Sequence, residues 1–309
     1  MTLSTIDMGA LATRLATLDE VKGRSPWTDA RIRFSRNKAA VAGLIMLILC
    51  FAYAFFGQLI ASHTYDFTDF NIMGNAAKMG QPSWSNGYYF GTDDLGRDLF
   101  ARTAMGTRIS LFVGVIGSVI AVVVGTLYGA IAGYVGGRTD GVMMRIVDIL
   151  LAVPFMFVII LLLVMFGKSL SMLFLGIGLL SWLGMSRIVR GQTLTLKNKE
   201  FIEAARATGV PAFTIIIRHI VPNLLGIVAV YATLLVPEMI LTESFISFLG
   251  LGVQEPQTSL GELISEGART IRYGTLWQLA FPLFFFITTM FAFYFVGDGL
   301  RDALDPKDR

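Results

Sequence analysis

The side chains that most often carry out chemistry are scarce in this sequence of 309 residues. It contains one cysteine, Cys50, and two histidines, His63 and His219. A closed zinc site is built mainly from several Cys and His ligands, and a disulfide within the chain needs a second cysteine. The sequence therefore argues against a zinc site and excludes an intrachain disulfide.

The triplet Gly167–Ser169, GKS, ends like a phosphate-binding loop. That loop needs another glycine five positions before its second one, and Leu162 stands there instead. Zinc-protease and dinucleotide-binding motifs are also absent from the sequence. We therefore predict that this chain is not an enzyme, has no catalytic residues and binds no metal or cofactor of its own.

Ionisable residues inside apolar runs suggest function, because a charge in lipid is costly. Glu238 and Glu243 follow Pro237, which is expected to bend their helix. These carboxylates are candidates for contacting a substrate amine or gating a pathway, and solvation at a helix end is the alternative. Asp148 lies one turn after Arg145, so we predict that these two pair, with a substrate contact as the alternative.

The segment 199–223 is charged and is interrupted by helix-breaking glycine and proline residues, although apolar runs flank it. A short helix is predicted from Lys199 to Thr208, with Gly209 as its C-cap and Pro211 preventing its continuation. Apolar residues at helical spacing predict a second, amphipathic helix beyond it: Phe213, Ile216, Ile217 and Ile220. We expect a rigid pair of helices, joined to a membrane span, that can transmit a movement of a soluble partner to the spans.

Small residues in the first of these helices, Ala204, Ala205 and Ala207, would let it sit in a groove. Glu203 and Arg206 place opposite charges one turn apart. The alternative is an ordinary connecting loop, which rarely needs two helices and a glycine stop.

The elements that must position these residues are apolar. The chain is 54% hydrophobic and 15% charged, and a soluble domain of this length carries more charge. Six segments are long enough to cross the bilayer as helices: 39–61, 109–135, 142–166, 170–188, 223–246 and 276–296. We predict an all-α polytopic membrane protein with six transmembrane helices.

The placement of Lys and Arg predicts the orientation of these spans. With the N-terminus in the cytoplasm, 18 of the 25 basic residues lie inside and 7 lie outside. The predicted regions are a cytoplasmic N-terminal segment (1–38), the first span (39–61), a periplasmic loop (62–108), a core of five spans (109–298) that includes the cytoplasmic loop 199–223, and a cytoplasmic tail (299–309).

Trp27, Ala30 and Phe34 share one helical face before the first span. This pattern predicts an interfacial helix on an anionic leaflet, and a basic flank without such a helix is the alternative.

Small residues recur every four positions in the second span: Gly117, Ala121, Gly125, Gly129, Gly133 and Gly137. This spacing favours close helix packing over a hinge and does not identify the partner helix.

The segment 200–223, EFIEAARATGVPAFTIIIRHIVPN, resembles the EAA motif of ABC-importer permeases. The matching residues are Glu203, Ala204, Ala205, Gly209 and Pro222. The general motif prefers Ile and Leu where this chain has His219 and Val221. Its RHIVPN ending is instead similar to the peptide and nickel permease subgroup.

Four more stretches resemble that subgroup. They are residues 90–114, which contain GTDDLGRD, residues 243–256, and both ends of the chain at 23–34 and 297–309. The two ends look like the C-type permease subunit of bacterial oligopeptide importers. Asp93, Asp94, Arg97 and Asp98 in the first stretch either contact a binding protein or cap a surface helix.

The resemblance implies a type I ABC importer permease fold and a subunit that forms half of a peptide pathway in the bacterial inner membrane. The implied partners are a homologous B-type permease, two ATPase subunits that bind ATP and Mg, and a periplasmic peptide-binding protein. The implied coupling residues are Glu203, Ala204, Ala205, Arg206 and Gly209, supported by Arg218, His219 and Pro222. Dipeptides, nickel, glutathione or opines are alternative cargoes, and an ion-coupled secondary transporter is the alternative class.

Overall fold

The structure is a computed structural model that describes residues 26–304. This part of the chain is made of helices and loops, with isolated bridges but no strand. The predictions for residues 1–25 and 305–309, which include part of the N-terminal segment and the last residues of the tail, lie outside the described residues.

Five helices in the described part are long and apolar enough to cross a membrane. They are α2 (Lys38–Ile60), α4 (Leu99–Val135), α7 (Leu170–Leu196), α9 (Ala212–Phe248) and α11 (Leu276–Leu304). The shorter helices are α1 (Pro26–Arg36), α3 (Ala76–Met79), α5 (Gly137–Ala152), α6 (Phe155–Phe166), α8 (Glu200–Ala207) and α10 (Leu260–Thr270). The all-α membrane fold predicted from the sequence is confirmed.

The predicted span 142–166 is not one straight helix. It consists of α5 and α6, which meet at a bend of 75°. The break lies at Val153, whose ψ of 129° is extended, immediately before Pro154. Proline disfavours helical geometry in the residue before it and has no N–H to donate, so the helix ends there. The described chain has six spans if this bent pair is counted as one.

Several helices extend well beyond the apolar segments that predicted them. Helix α4 begins at Leu99, ten residues before the predicted span, because the side chain of Asp98 accepts a hydrogen bond from the backbone N–H of Phe100 (2.9 Å) and caps it. Helix α9 begins at Ala212, so the predicted second cytoplasmic helix and the fifth span are one continuous helix. Hydropathy detects the lipid-facing part of a helix and not its ends.

The centre of the fold is the contact between α4 and α7, and the small-residue stripe forms it. A Cβ at Gly125 would lie 2.6 Å from the Cβ of Met185, and one at Gly133 would lie 2.8 Å from the Cβ of Thr193. Any larger side chain would push the helices apart, so the packing interpretation holds and the partner helix lies in this chain. The stripe ends before Gly137, the first residue of α5, where an added Cβ would have no neighbouring atom within 4 Å.

The N-terminal helix α1 packs on the last part of α11. Ala30 is buried, and the ring of Phe34 lies beside Gly299. Asn37 then caps α2, its side-chain oxygen accepting hydrogen bonds from the backbone N–H groups of Ala39 and Ala40. Trp27 is exposed, so the predicted apolar face is divided between protein and surroundings.

Candidate functional sites

Helix α8 is short, and its ends are stabilised locally. Glu200 and Glu203 lie in its first turn and Arg206 in its last, which suits the helix dipole at both ends. Gly209 follows it with φ of +80°. The N–H of Gly209 donates to the carbonyl of Arg206 (2.9 Å) and that of Val210 donates to Ala205 (3.1 Å), the hydrogen bonds of a Schellman motif. Gly209 therefore ends this helix as predicted.

One face of α8 fixes it to the membrane helices. Ile202 is fully buried and Ala205 nearly so, and both belong to an apolar cluster with Ala130 of α4, Val189 of α7 and Ile216 of α9. Burying an isoleucine side chain contributes about 1.5–3 kcal/mol. The helix is therefore attached to three membrane helices at once.

The opposite face of α8 is exposed. Glu203, Ala204, Ala207 and Gly209 are exposed on it. The predicted coupling residues are thus divided, with Ala205 facing inward and Glu203, Ala204 and Gly209 facing outward.

Arg206 makes a contact that the sequence did not predict. Its Nε donates to the hydroxyl of Tyr134 on α4 (3.3 Å), and its guanidinium lies 5.0 Å from the centre of that ring. No ion pair joins Glu203 to Arg206 among the described residues. The exposed carboxylate of Glu203 is left available, because Arg206 turns towards the membrane helices.

A π-helical turn, Ile216–Ile220, lies in the part of α9 that contributes to this cluster. Pro222 has no N–H for the carbonyl four residues before it, and a wider turn accommodates that loss. The carbonyl of His219 accepts a hydrogen bond from the side chain of Asn223 (2.6 Å), and Arg218 is exposed. These are the residues predicted to support the coupling segment.

The predicted apolar face of this region is partly wrong. Ile216 and Ile220 are buried, but Phe213 is 68% exposed and Ile217 is 37% exposed. The π turn adds a residue to one turn and changes which side chains share a face, and Ile215 is buried instead. Two apolar side chains at the start of α9 are therefore exposed.

The two carboxylates of α9 lie in different environments. Glu243 is fully buried, and its carboxylate accepts hydrogen bonds from Ser110 of α4 (3.0 Å) and from Ser247 (2.6 Å). Glu243 is therefore not solvated at a helix end. In this structure its carboxylate accepts hydrogen bonds from serine hydroxyls instead. Pro237 lies within the helix, which continues through it.

Glu238 lines a cavity of about 530 Å³ between α5, α6, α7 and α9. Most of its wall is aliphatic or aromatic. The polar residues that line it are Ser181, Tyr231, Glu238 and Thr242. Among the described residues no ion pair includes Glu238.

The predicted pair of Asp148 with Arg145 is wrong. Asp148 pairs with Arg187 of the neighbouring helix α7, and Asp140 accepts two hydrogen bonds from Arg190 (2.7 and 2.6 Å). A pair within one helix contributes only about 0.2–0.5 kcal/mol, and a basic residue facing from another helix displaces it. These two pairs join α5 to α7.

A second group of charged residues lies at the start of α4, within the GTDDLGRD segment. Asp93 accepts hydrogen bonds from the backbone and the side chain of Arg97, at 2.9 and 2.6 Å. Asp94 accepts one from Gln278 of α11 (3.3 Å). Asp98 caps α4, so for this residue the structure supports the helix-cap interpretation.

This charged group connects two segments that are far apart in sequence. Arg97 donates to Glu255 in the loop after α9 (2.7 Å). Arg102, which is fully buried, lies 3.2 Å from Asp93 and 3.3 Å from Glu266 of α10. The hydrogen bond from Arg97 holds the pKa of Glu255 below its usual range. Sequence reasoning missed Arg102 and Glu266, because nothing local indicates that they meet.

Comparison with known proteins gives two family matches. The family described as "Binding-protein-dependent transport system inner membrane component" matches residues 125–309, which include α8 and the cavity. The family described as "N-terminal TM domain of oligopeptide transport permease C" matches residues 25–77.

Individual relatives match along most of their length. The oligopeptide transport system permease protein OppC of Escherichia coli K12 is 58% identical over 94% of both chains. OppC of Bacillus subtilis is 46% identical over 93% of this chain and 92% of its own. The dipeptide transport system permease protein DppC of the same species is 44% identical over 91% of this chain and 86% of its own.

Proposed function

This chain belongs to the family of binding-protein-dependent transport system inner membrane components, and we propose that it forms half of the translocation pathway of an ATP-driven oligopeptide importer. It is a non-catalytic membrane subunit. OppC of Escherichia coli K12 is 58% identical to it and OppC of Bacillus subtilis 46%, against 44% for DppC of Bacillus subtilis and 39% for OppC of Mycobacterium bovis. The similarity to OppC of Escherichia coli favours oligopeptides as cargo.

The complete importer contains a homologous B-type permease, two ATPase subunits that bind ATP and Mg, and a periplasmic peptide-binding protein. Both termini of this chain lie in the cytoplasm. The distribution of 18 basic residues inside and 7 outside supports this orientation, which also places α8 in the cytoplasm. The N-terminal helix α1 lies at the inner surface of the membrane.

The observation that carries this proposal is the position of α8. One face is packed against α4, α7 and α9, and the other is exposed with Glu203 and Ala204 on it. When ATP binding closes the ATPase pair, α8 moves with it, and its buried face transmits that movement to the membrane helices. The equilibrium shifts only because the ATPases contact α8 differently in their two states.

Reversing the charge of Glu203 tests the docking. Glu203→Lys should lower the amount of ATPase that co-purifies with the membrane subunits, because this exposed carboxylate forms no ion pair within residues 26–304. Asp66→Lys is the matched control, since Asp66 is also exposed but lies in the loop between α2 and α4. Equal recovery of the ATPases with Glu203→Lys and with the unchanged chain would contradict the proposal.

Gly209 tests the rigidity of α8. A Cβ added at Gly209 meets no atom within 4 Å apart from its chain neighbours, but valine strains a backbone with φ of +80°. We expect lost transport and lost peptide-stimulated ATP hydrolysis with normal membrane insertion. Gly209→Asn should retain most activity because Asn tolerates this conformation. Normal transport by the valine variant would show that the C-cap is not needed for coupling.

Cargo length is tested in the reconstituted complex. We expect ATP-dependent uptake of peptides longer than two residues to exceed uptake of dipeptides. Dipeptide uptake that outcompetes the longer peptides would favour the second cargo class, and uptake without ATP would favour a secondary transporter.

A further inference from the structure

We propose that Glu238 is a recognition site for a primary ammonium group of the peptide as it passes through the membrane. The inference rests on the proposed function, because it concerns the cargo of that pathway. It assigns a ligand chemistry to one carboxylate, in one cavity, between α5, α6, α7 and α9.

The cavity lies at membrane depth. The residues of α7 that line it run from Leu180 to Ile188, and the helix begins at Leu170. At about 1.5 Å per residue they lie about 15–27 Å from that end of the helix. The hydrocarbon core is about 30 Å thick, so Glu238 faces this space well below the membrane surface.

Glu238 is exposed in the isolated chain, and at this depth a carboxylate that faces lipid is costly, so its surroundings must supply water or a cation. Two arginines of α7, one of the helices that line the cavity, already have carboxylate partners. Arg187 pairs with Asp148 and Arg190 pairs with Asp140. Among residues 26–304 no ion pair includes Glu238, so within this part of the chain its carboxylate is available to an external cation.

The other hydroxyls of the cavity are largely satisfied within the chain. Thr242 donates to the carbonyl of Glu238 (2.9 Å), and Ser181 donates to that of Ile177 (2.7 Å). Glu243, five residues further along α9, has its carboxylate saturated by serine hydroxyls and does not line the cavity. Glu238 is therefore the charged group that remains available in a wall that is otherwise mainly apolar.

A single carboxylate with aliphatic neighbours recognises an ammonium group without reading side-chain sequence. Every unmodified peptide carries an α-ammonium group whatever its residues, so this site suits a pathway that accepts many sequences. A lysine side chain offers the same chemistry. The experiment therefore separates these two sources of the primary ammonium group.

The test uses the full importer in proteoliposomes with ATP and three peptides of equal length. One has a free N-terminus and no lysine, one is N-acetylated, and one is N-acetylated but contains lysine. We expect Glu238→Gln to lower the transport rate of the first peptide by about tenfold, the worth of a charge-assisted hydrogen bond. Glu238→Asp should retain most of that rate, and the binding protein's affinity for each peptide is measured separately.

The outcomes distinguish this inference from the proposed function. A selective loss for the free-amine peptide supports the α-ammonium as ligand, and a similar loss for the lysine peptide extends the ligand to side-chain ammonium. Unchanged transport, or equal loss for all three peptides, would overturn the inference while the unchanged importer still transports peptide. If the unchanged importer moves no peptide with ATP, the proposed function itself fails. Asp66→Asn, an exposed carboxylate in the loop between α2 and α4, is the control that should leave all three rates unchanged.

Discussion

Arg102 is the residue on which the charged group at the start of α4 depends. Its side chain is fully buried between Asp93 and Glu266. Without Arg102, Asp93 keeps Arg97 as a partner but Glu266 loses its nearer cation, so Arg102→Met should lower the free energy of unfolding by about 1–3 kcal/mol. Thermal unfolding of the purified complex measures this loss.

Arg108 provides the control, because it lies on the same helix but is exposed. Arg108→Met should change stability by much less. The double variant Arg102→Met, Glu266→Gln should lose less than the sum of its two single variants, since both changes remove the same interaction. Equal effects of the substitutions at Arg102 and Arg108 would show that burial of this charge is unimportant.

Glu262 on α10 gives stability a pH dependence. Burial, and then the negative charge of Glu266, raise the pKa of Glu262 to about 7 from a usual value of 4.5. The folded state therefore binds a proton more tightly than the unfolded state, and stability falls as the pH rises from about 4.5 to about 7. We expect the Tm to decrease between pH 5 and pH 8 and Glu262→Gln to reduce that decrease. Glu200→Gln, at an exposed carboxylate, is the control, and equal slopes in all three proteins would refute the assignment.

Some residues could be predicted from sequence alone because their function in the fold is local. Gly209 ends α8 as expected, since a helix stop depends on the few residues around it. The contacts of Asp148 and Glu243 could not be predicted, because their partners Arg187 and Ser110 come from other helices. Pairing across helices requires the tertiary arrangement that spacing in one helix does not contain.

At the scale of elements, the contact between α4 and α7 can be tested at Gly129. A Cβ there would overlap the carbonyl oxygen of Ser186. Gly129→Ala should therefore destabilise the protein by about 1–3 kcal/mol through overpacking. The matched control is Gly191→Ala on α7, where nothing lies within 4 Å and alanine should be neutral or slightly stabilising. A Gly129 variant as stable as the control would mean that the two helices separate at little cost.

The elements themselves were predicted well where they are long and apolar, and less well where proline acts. Every predicted span is helical, because about 20 apolar residues permit little else in lipid. The bend at Pro154 and the π turn before Pro222 were not predicted. Both depend on how neighbouring helices satisfy the backbone groups that proline leaves unpaired.

At the scale of the whole molecule, the exposed and buried sides of α8 divide the functions of this chain. Its inner face belongs to the same apolar cluster as α4, α7 and α9, and its outer face is exposed. We propose that a soluble ATPase occupies the outer face. The family assignment supports this arrangement, but the sequence could not show which residues of the coupling segment point outward.

The most direct test of this account is cysteine crosslinking at two adjacent alanines of α8, Ala204 and Ala205. Cys50 is the only cysteine of the chain and is buried, so Cys50→Ser gives a background without thiols in this subunit. In that background Ala204→Cys, on the exposed face, should form a crosslink to an ATPase subunit with a short thiol-reactive reagent, and the yield should change when ATP binds. Ala205→Cys, one residue along but nearly buried, should form little or none. Equal crosslinking from both positions, no crosslink from Ala204→Cys, or a crosslink to the peptide-binding protein would contradict the account.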